Sequence, residues 1–433
     1  MGQKPRACYS STTQMLQWYA MLIGWIAGDV VWWRAAAGRL RGFRFAGGWR
    51  WGLHLFMAAQ LGFMLFMLGG SIADYVPHWG PLIWSVVAYG WHLFLLPLAV
   101  VWMWGPAMVR RIRSCRTVAV ASGPTKPVAP PTSGLTRRQA LAAMSAILPP
   151  AISAGVGVVA VKRLGMYDVH DVTLRVPGLP ADLVGLTIAH GSDLHIGRFL
   201  PDGVMERVAD SINAMRADLV VFTGDLLDTS ALRIQPGIDF MRRLDPRQGL
   251  VMIEGNHDVM HEAERFEKTM KDAGLPLLLD EATTFRIPGR ATPVQMLGMT
   301  WGDLRRGYEI GGHYGREANR TYRYYTKETM AAALERTVAH REVGAFPILL
   351  AHHPHAFDGA VAAGLPLVLS GHTHGGQLML TKHIGAGPIR FRYWTGTYEK
   401  GDSRLFVNNG VGNWFPLRVN APAEVVKITL AQG

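Results

Sequence analysis

Apolar and polar positions divide the chain into two parts with different rhythms. Up to about residue 164 the apolar residues come in long blocks, roughly 15–33, 52–71, 81–107 and 140–161. Each block is near or above the ~20 residues that an α-helix needs to cross a bilayer. None carries the charged outer face that a helix of a soluble bundle requires. The blocks therefore predict an α-helical membrane region of about four spans. Trp32, Trp33, Trp49, Trp51, Trp79 and Trp104 fall near the ends of the proposed spans, where amphipathic rings favour the headgroup zone. Beyond residue 166 the apolar runs shorten to strand length: Val184–Ala189, Leu219–Thr223, Leu250–Glu254, Val294–Leu297, Ile348–Ala351, Leu367–Ser370, Leu405–Asn408 and Glu424–Leu430. Helical patterns at about 202–215, 231–243, 259–273 and 325–340 lie between several of them. This alternation predicts an α/β domain, with a mostly parallel sheet early and an antiparallel or mixed part later.

The net charge of +12 suggests a nucleic-acid partner until it is placed along the chain. Residues 1–164 hold 16 Lys and Arg against two acids, Asp29 and Asp74, whereas residues 165–433 hold 28 against 30. Eleven of the 14 tryptophans also lie in the first part. A basic, Trp-rich apolar segment is a membrane signature, and no nucleic-acid partner is expected. The hydrophobic fraction of 49% excludes general disorder, and two cysteines exclude a disulfide scaffold.

Orientation follows from the loops. Arg34, Arg39, Arg41, Arg44 and Arg50 follow the first block, and Arg110, Arg111, Arg113, Arg116, Lys126, Arg137 and Arg138 follow the third, with no acid in either connection. Positive loops stay in the cytoplasm. The N-terminus and everything beyond the fourth block are then outside, although Lys4, Arg6, Lys162 and Arg163 run against that rule. Residues 117–135 are rich in Pro, Ser, Thr and Ala and read as a linker. Thr136-Arg137-Arg138-Gln139-Ala140-Leu141 before a modest apolar run resembles an internal twin-arginine export signal, which would make the twin-arginine export machinery a partner. The expected organisation is three membrane helices in 1–116, a linker with the fourth span in 117–165, and a catalytic domain in 166–433. The expected location is a multi-pass inner (cell) membrane protein with its catalytic domain on the extracytoplasmic side.

Five polar motifs begin where apolar runs end: Ser192-Asp193-Leu194-His195, Gly224-Asp225-Leu226-Leu227-Asp228, Gly255-Asn256-His257-Asp258, His352-His353-Pro354 and Gly371-His372-Thr373-His374-Gly375-Gly376-Gln377. The carboxyl ends of strands in an open α/β sheet converge on one crevice. The oxygen and imidazole donors there, without thiolate, suit Mn, Fe or Zn. Seven ligands exceed the need of one catalytic ion but suffice for two ions sharing a carboxylate, a known device for splitting phosphate esters.

These blocks, in this order, resemble the motif set of the calcineurin-like metallophosphoesterases. The Gly-His-Thr-His-Gly-Gly-Gln form, Asn409-Gly410-Val411-Gly412 and Pro416-Leu417-Arg418 resemble its membrane-anchored branch, the transmembrane proteins with a metallophosphoesterase domain. The resemblance implies a four-layer α-β-β-α sandwich. It places Asp193, His195 and His374 on one divalent ion and Asn256, His352 and His372 on a second, with Asp225 bridging. It implies hydroxide shared by the two ions as nucleophile, with His257 protonating the leaving oxygen and Asp228 orienting His257. The expected activity is hydrolysis of a phosphodiester or pyrophosphate in a phosphorylated small-molecule or lipid substrate at the bilayer. Family relatives include UDP-diacylglucosamine pyrophosphatases, whose substrate is made on the cytoplasmic face, against the orientation above. The alternatives are a non-catalytic metal-dependent membrane sensor or scaffold, and a phosphomonoesterase or protein phosphatase. His353, next to His352, is an alternative candidate for that ligand position. His190, His261, His340 and His383 read as structural or exposed. Arg198, Arg305, Arg306, Arg316 and Arg320 are phosphate-clamp candidates or surface charge.

Overall fold

The computed structural model describes residues 11–40, 46–72, 82–104, 136–197, 199–228, 233–260, 262–306 and 321–433. Cys8, Asp74, Trp79, Cys115, the basic residues 110–126, the linker 117–135, Arg198, His261, Arg316 and Arg320 lie outside them. The chain forms two compact units, which divide between Val161 and Lys162.

Among its described residues the first unit contains four helices, α1 (Ser11–Arg39), α2 (Ala46–Ile72), α3 (Leu82–Trp104) and α4 (Arg137–Arg163). Two of them, Leu82–Trp104 and most of α4 from Gln139, are long and apolar enough to cross a membrane. Trp32 and Ala36 of α1, Met57 of α2, Trp91 and Ala99 of α3 and Ala146 of α4 are buried in one cluster. Asp29, the acid that interrupts the first apolar block, is fully buried. The Trp91 indole N–H donates to Asp29 Oδ1 at 2.7 Å, and His92 Nε2 lies 2.8 Å from Asp29 Oδ2. A π-helical turn at Trp91–Leu95 brings these two consecutive residues to one carboxylate, the kind of helical irregularity that often marks a special site. A buried carboxylate costs too much without such partners, so Asp29 holds α1 to α3.

The second unit contains two sheets. The first has strand order β1 (Asp168–Val176), β15 (Glu424–Gln432), β2 (Thr187–Gly191), β3 (Leu219–Thr223), β4 (Gly249–Ile253). The second runs β13 (Gly396–Lys400), β14 (Ser403–Val407), β10 (Leu367–Ser370), β9 (Phe346–Leu350), β6 (Val294–Gly298), β5 (Glu281–Phe285). Side chains of a strand alternate between faces, and this divides the core into three layers. Ile188, Val221 and Ile253 from one sheet meet Ile348, Leu369 and Phe406 from the other. Val220, Phe222 and Met252 face outward against α5 (Val204–Ala214), α6 (Ile234–Arg243) and α8 (Ala263–Asp272), while Asn256–Val259 forms the short helix α7. On the far side Leu349, Val368 and Leu405 pack with α9 (Lys327–Val338) and α10 (Ala356–Ala362). The layers are α-β-β-α. Small peripheral elements complete the unit: β7 (Asp303–Arg306) pairs with β8 (Thr321–Tyr324), β11 (Met379–Thr381) pairs with β12 (Ile384–Gly385), and α11 spans Ala386–Arg390.

The late strands form a mixed arrangement, as the sequence suggests. β6, β9, β10 and β14 are parallel, the edge strands β5 and β13 are antiparallel to their neighbours, and β15 is antiparallel to β2. The seven-residue α10 carries the crossover from β9 to β10, too short to register as a helical period. β1 was not expected as a strand: seven of its nine residues are exposed or half-buried, and the alternation of Val172, Leu174 and Val176 is confined to its second half.

Candidate metal centre

Strands β2, β3 and β4 run parallel, so the loops after them emerge on one side. There they meet the loops after β9 and β10. Five of the seven residues expected as ligands sit in the left-handed backbone region: Asp193 (φ 51°), His195 (47°), Asp225 (53°), His372 (73°) and His374 (49°). Non-glycine residues seldom adopt this region, and each costs about 1–3 kcal/mol unless the surroundings enforce it. Neighbouring glycines let the loops approach so closely. A Cβ on Gly255 would stand 2.2 Å from Asp225 Oδ1, and one on Gly371 would stand 2.2 Å from Asp193 Oδ2.

Three groups of donors converge: Asp193, His195 and His374; His195, Asp225 and His257; and Asp225, His352 and His372. His195 Nε2 and His374 Nε2 are 3.0 Å apart, and Asp193 Oδ1 is 3.3 Å from His374 Nε2. On the other side His372 Nδ1 is 2.8 Å from Asn256 Oδ1. Asp225 Oδ2 stands between the sets, 3.5 Å from His195 Nε2 and 3.2 Å from His352 Nε2. Asp225 Oδ1 accepts the His257 main-chain N–H at 2.8 Å, so Oδ2 alone faces both sets.

The residues fit a metal. His352 Nδ1 donates to the Thr223 carbonyl at 2.6 Å. This fixes the tautomer and leaves the Nε2 lone pair buried without a hydrogen-bond partner, an arrangement seen at metal-binding histidines. The charges fit as well. Burial alone would lower His195 and His352, but carboxylates outweigh it: Asp193, Asp228 and Asp225 push His195 up to about 10, and Asp225 and Asp193 push His352 up to about 9. Asp225 is held well below the usual carboxylate range, since the imidazoles of His352, His257 and His195 overcome its burial. Burial, joined by the Arg418 guanidinium, keeps His374 well below the usual range, so it stays neutral. Positive charge belongs among these carboxylates.

His257 joins the cluster, but its orientation has another source than expected. Its Nδ1 donates to the main-chain carbonyl of Asp228 at 2.5 Å. The Asp228 carboxylate lies 3.6 Å from His257 Nδ1 and 3.7 Å from His195 Nδ1, shared between two rings. Burial would raise Asp228, and these two imidazoles outweigh it and hold it low. His353 belongs to none of the three donor groups; its ring stacks on Tyr325. His190 is fully buried on Thr223 Oγ1, and His340 and His383 are exposed. Arg305 and Arg306 lie on β7.

Several residues that hold the site received no role from the sequence. The Asp258 carboxylate accepts the main-chain N–H groups of Gly255, Leu226 and Leu227 and so ties two ligand loops together. Burial, then the charge of Asp225, pushes it up to about 7. Its signal was its place inside Gly255-Asn256-His257-Asp258. Half-buried Arg418 donates to His374 Nδ1 at 2.8 Å and to the carbonyls of Asn409, Gly410 and Gly412. Glu254, beside the same loop, bonds Arg323 at 2.7 Å and accepts the Trp301 N–H at 2.9 Å. Trp301 packs on His352, His353 and His372.

Comparison with known proteins gives this geometry its chemistry. Residues 186–376 match the family model described as calcineurin-like phosphoesterase. A "transmembrane protein with metallophosphoesterase domain" from Danio rerio is 27% identical over 421 residues, covering 94% of this chain and 87% of that protein. An "uncharacterized metallophosphoesterase", YkuE of Bacillus subtilis, is 28% identical over 304 residues, 68% of this chain and 98% of that protein. A "phosphodiesterase", YaeI of Escherichia coli, is 27% identical over 306 residues, 68% of this chain and 99% of that protein.

Two outcomes are expected for the full chain. Asp225→Asn removes the charge between the donor sets, so the purified protein loses at least one bound ion and its activity; elemental analysis beside a hydrolysis assay checks both, and an Asn variant with undiminished metal content would exclude the shared-carboxylate arrangement. His257→Ala keeps the metal content but loses roughly 10²–10⁴-fold in rate, the usual worth of a positioned acid. That loss shrinks for esters with good leaving groups, and equal losses across leaving groups would count against a proton-donating role.

Proposed function

We propose that this calcineurin-like metallophosphoesterase, a metal-dependent phosphoric ester hydrolase, binds two divalent ions and cleaves phosphodiester or pyrophosphate bonds of a lipid or envelope substrate. The observation that carries the reading is the single oxygen Asp225 Oδ2, which faces His195 on one side and His352 on the other. Asp193, His195 and His374 would hold one ion, Asn256, His352 and His372 the other, with Asp225 common to both. When bound, such a pair clamps phosphate oxygens and makes hydroxide available near neutral pH. The ion type, Mn, Fe or Zn, follows from the donor chemistry alone.

The remaining chemistry belongs to the chain itself. The Asp228 carbonyl fixes Nδ1–H of His257, so the other ring nitrogen, Nε2, is the atom that can carry a proton to a leaving oxygen. An alkoxide is a poor leaving group, and such a donor has most to do in a diester. Loop glycines and the strained ligand backbone set the donors before any substrate arrives, which avoids reorganisation during the reaction. The name of the YaeI relative, a phosphodiesterase, supports the same substrate class.

The proposal extends to the membrane. The four helices of the first unit would all span the bilayer. Each exposes large apolar side chains, among them Ile23, Leu55, Val101 and Val159, as lipid-facing helices do. The arginine-rich first and third connections would then be cytoplasmic and the catalytic unit extracytoplasmic, reached through the twin-arginine-like segment.

Two measurements test the reading. Steady-state comparison of esters with one common leaving group is expected to give a higher kcat/KM for diesters than for monoesters; a preference for monoesters would remove the diesterase reading and leave the metal site standing. An impermeant thiol reagent on intact spheroplasts is expected to modify Cys8 and spare Cys115, and the reverse pattern would turn the catalytic unit to the cytoplasm.

A further inference from the structure

A groove of about 840 Å³ opens between α9 and α10, a size that can enclose a substantial ligand group. Its walls are aliphatic or small: Met330, Leu334 and Val338 from α9, and Ala356, Gly359 and Ala362 from α10. Its inner end is formed by Tyr325 and His353, and the His353 ring lies 4.7 Å from that of His372. The groove thus begins where the metal centre ends.

What could fill it is limited by two features. The charges on its walls balance, Lys327 and Arg392 against Glu335 and Asp358. Asp358 is already engaged by Arg392 at 2.6 Å, Lys400 at 3.0 Å and the Tyr393 hydroxyl at 2.9 Å. A second phosphate or a charged sugar finds no net complement there. The aromatic rings at the inner end are also partly covered. Tyr325 stacks on His353 at 4.9 Å and 7° and has Trp301 at 4.9 Å and 25°, those two rings being 5.8 Å apart, while His353 packs against His372 as well. Protein aromatics thus take up part of the ring surface at this end, and the apolar helical walls are the larger surface left for a ligand.

We infer that the α9–α10 groove is the subsite for an aliphatic chain of an amphiphilic phosphoester whose phosphate lies at the metal centre. The inference rests on the two-ion phosphoesterase reading and narrows its substrate to esters with a linear apolar chain. Ala331 and Ala362 set the width of the groove, one on each helix, and both are exposed, so a large side chain there fills the groove without displacing core residues.

The test uses the full chain in nanodiscs, loaded with Mn²⁺, and p-nitrophenyl phosphodiesters whose second ester is methyl, butyl, octyl or thymidine. Each fully buried methylene is worth about fourfold in kcat/KM; with the groove partly open, octyl is expected to exceed methyl by at least about tenfold. Ala331→Trp and Ala362→Trp are each expected to bring the octyl-to-methyl ratio close to one, with circular dichroism checking that both fold. A wild-type enzyme that turns over all chain lengths equally would overturn the groove assignment and leave the phosphoesterase reading intact. So would an octyl advantage that survives both Trp variants, or a thymidine ester that outperforms octyl and loses its advantage in them. If the wild type hydrolyses no diester, the underlying substrate reading fails and the groove assignment with it.

Discussion

A single carboxylate oxygen that serves two cations must keep its lone pairs open to both, and it is held in place best when its partner oxygen is anchored elsewhere. Asp225 is arranged in this way. The His257 main-chain N–H occupies Oδ1, and Oδ2 is flanked by His195 and His352 from opposite sides. That N–H is aimed by the turn into α7, which Asp258 ties back to the Leu226–Leu227 backbone. The loops after β3 and β4 therefore act as one piece. A change in either moves the shared oxygen, and with it both donor sets.

Holding that arrangement requires strain. The ligands at 193, 195, 225, 372 and 374 all have φ between 47° and 73°, an unfavourable conformation at every one of these side chains. The surrounding structure can enforce it because the strands that lead into the loops are among the most buried in the protein. Every residue of β3, β9 and β10 is buried, between a helical layer and the opposing sheet. Short, fully buried parallel strands cannot slip by a residue without turning an apolar face toward a loop or a charge. The register of Val220 with Ala189 and Leu250 thus fixes where Asp225 emerges.

Most of this was legible in the chain because the same alternation that makes the strands delivers the polar motifs at their ends. Asp193, His195, Asp225, Asn256, His257, His352, His372 and His374 all come from loops that follow apolar runs, and they meet. What was not legible depends on main-chain atoms or on distant pairings. That the Asp228 carbonyl, more closely than its carboxylate, orients His257 cannot be read from residue types. Nor can the place of β1, whose alternation of Val172, Leu174 and Val176 is short and whose position is set by its parallel register with β15 from Asp168–Glu424 to Val176–Gln432. Arg418 was visible as part of a motif, but its contact with His374 follows from a loop closure across 44 residues. The groove between α9 and α10 was hidden for a related reason: α10 is two turns long and mostly Ala and Gly, so its sequence signals neither a helix nor a wall.

One rule governs buried charge in both units, with opposite results. In the first unit Asp29 has both oxygens engaged, one by Trp91 and one by His92, and nothing is left over for a ligand. The π-turn that brings two adjacent residues to it makes this a closed, structural contact. In the second unit the carboxylates of Asp193, Asp225 and Asp228 share their imidazole neighbours at distances of 3.2–3.8 Å, and buried His352 Nε2, which faces Asp225, has no hydrogen-bond partner. Saturated contacts lock helices together, whereas under-satisfied ones facing a common point leave room for a cation. The same physical cost of burying charge therefore separates a clamp from a metal centre, and the number of partners left unpaired tells which is which.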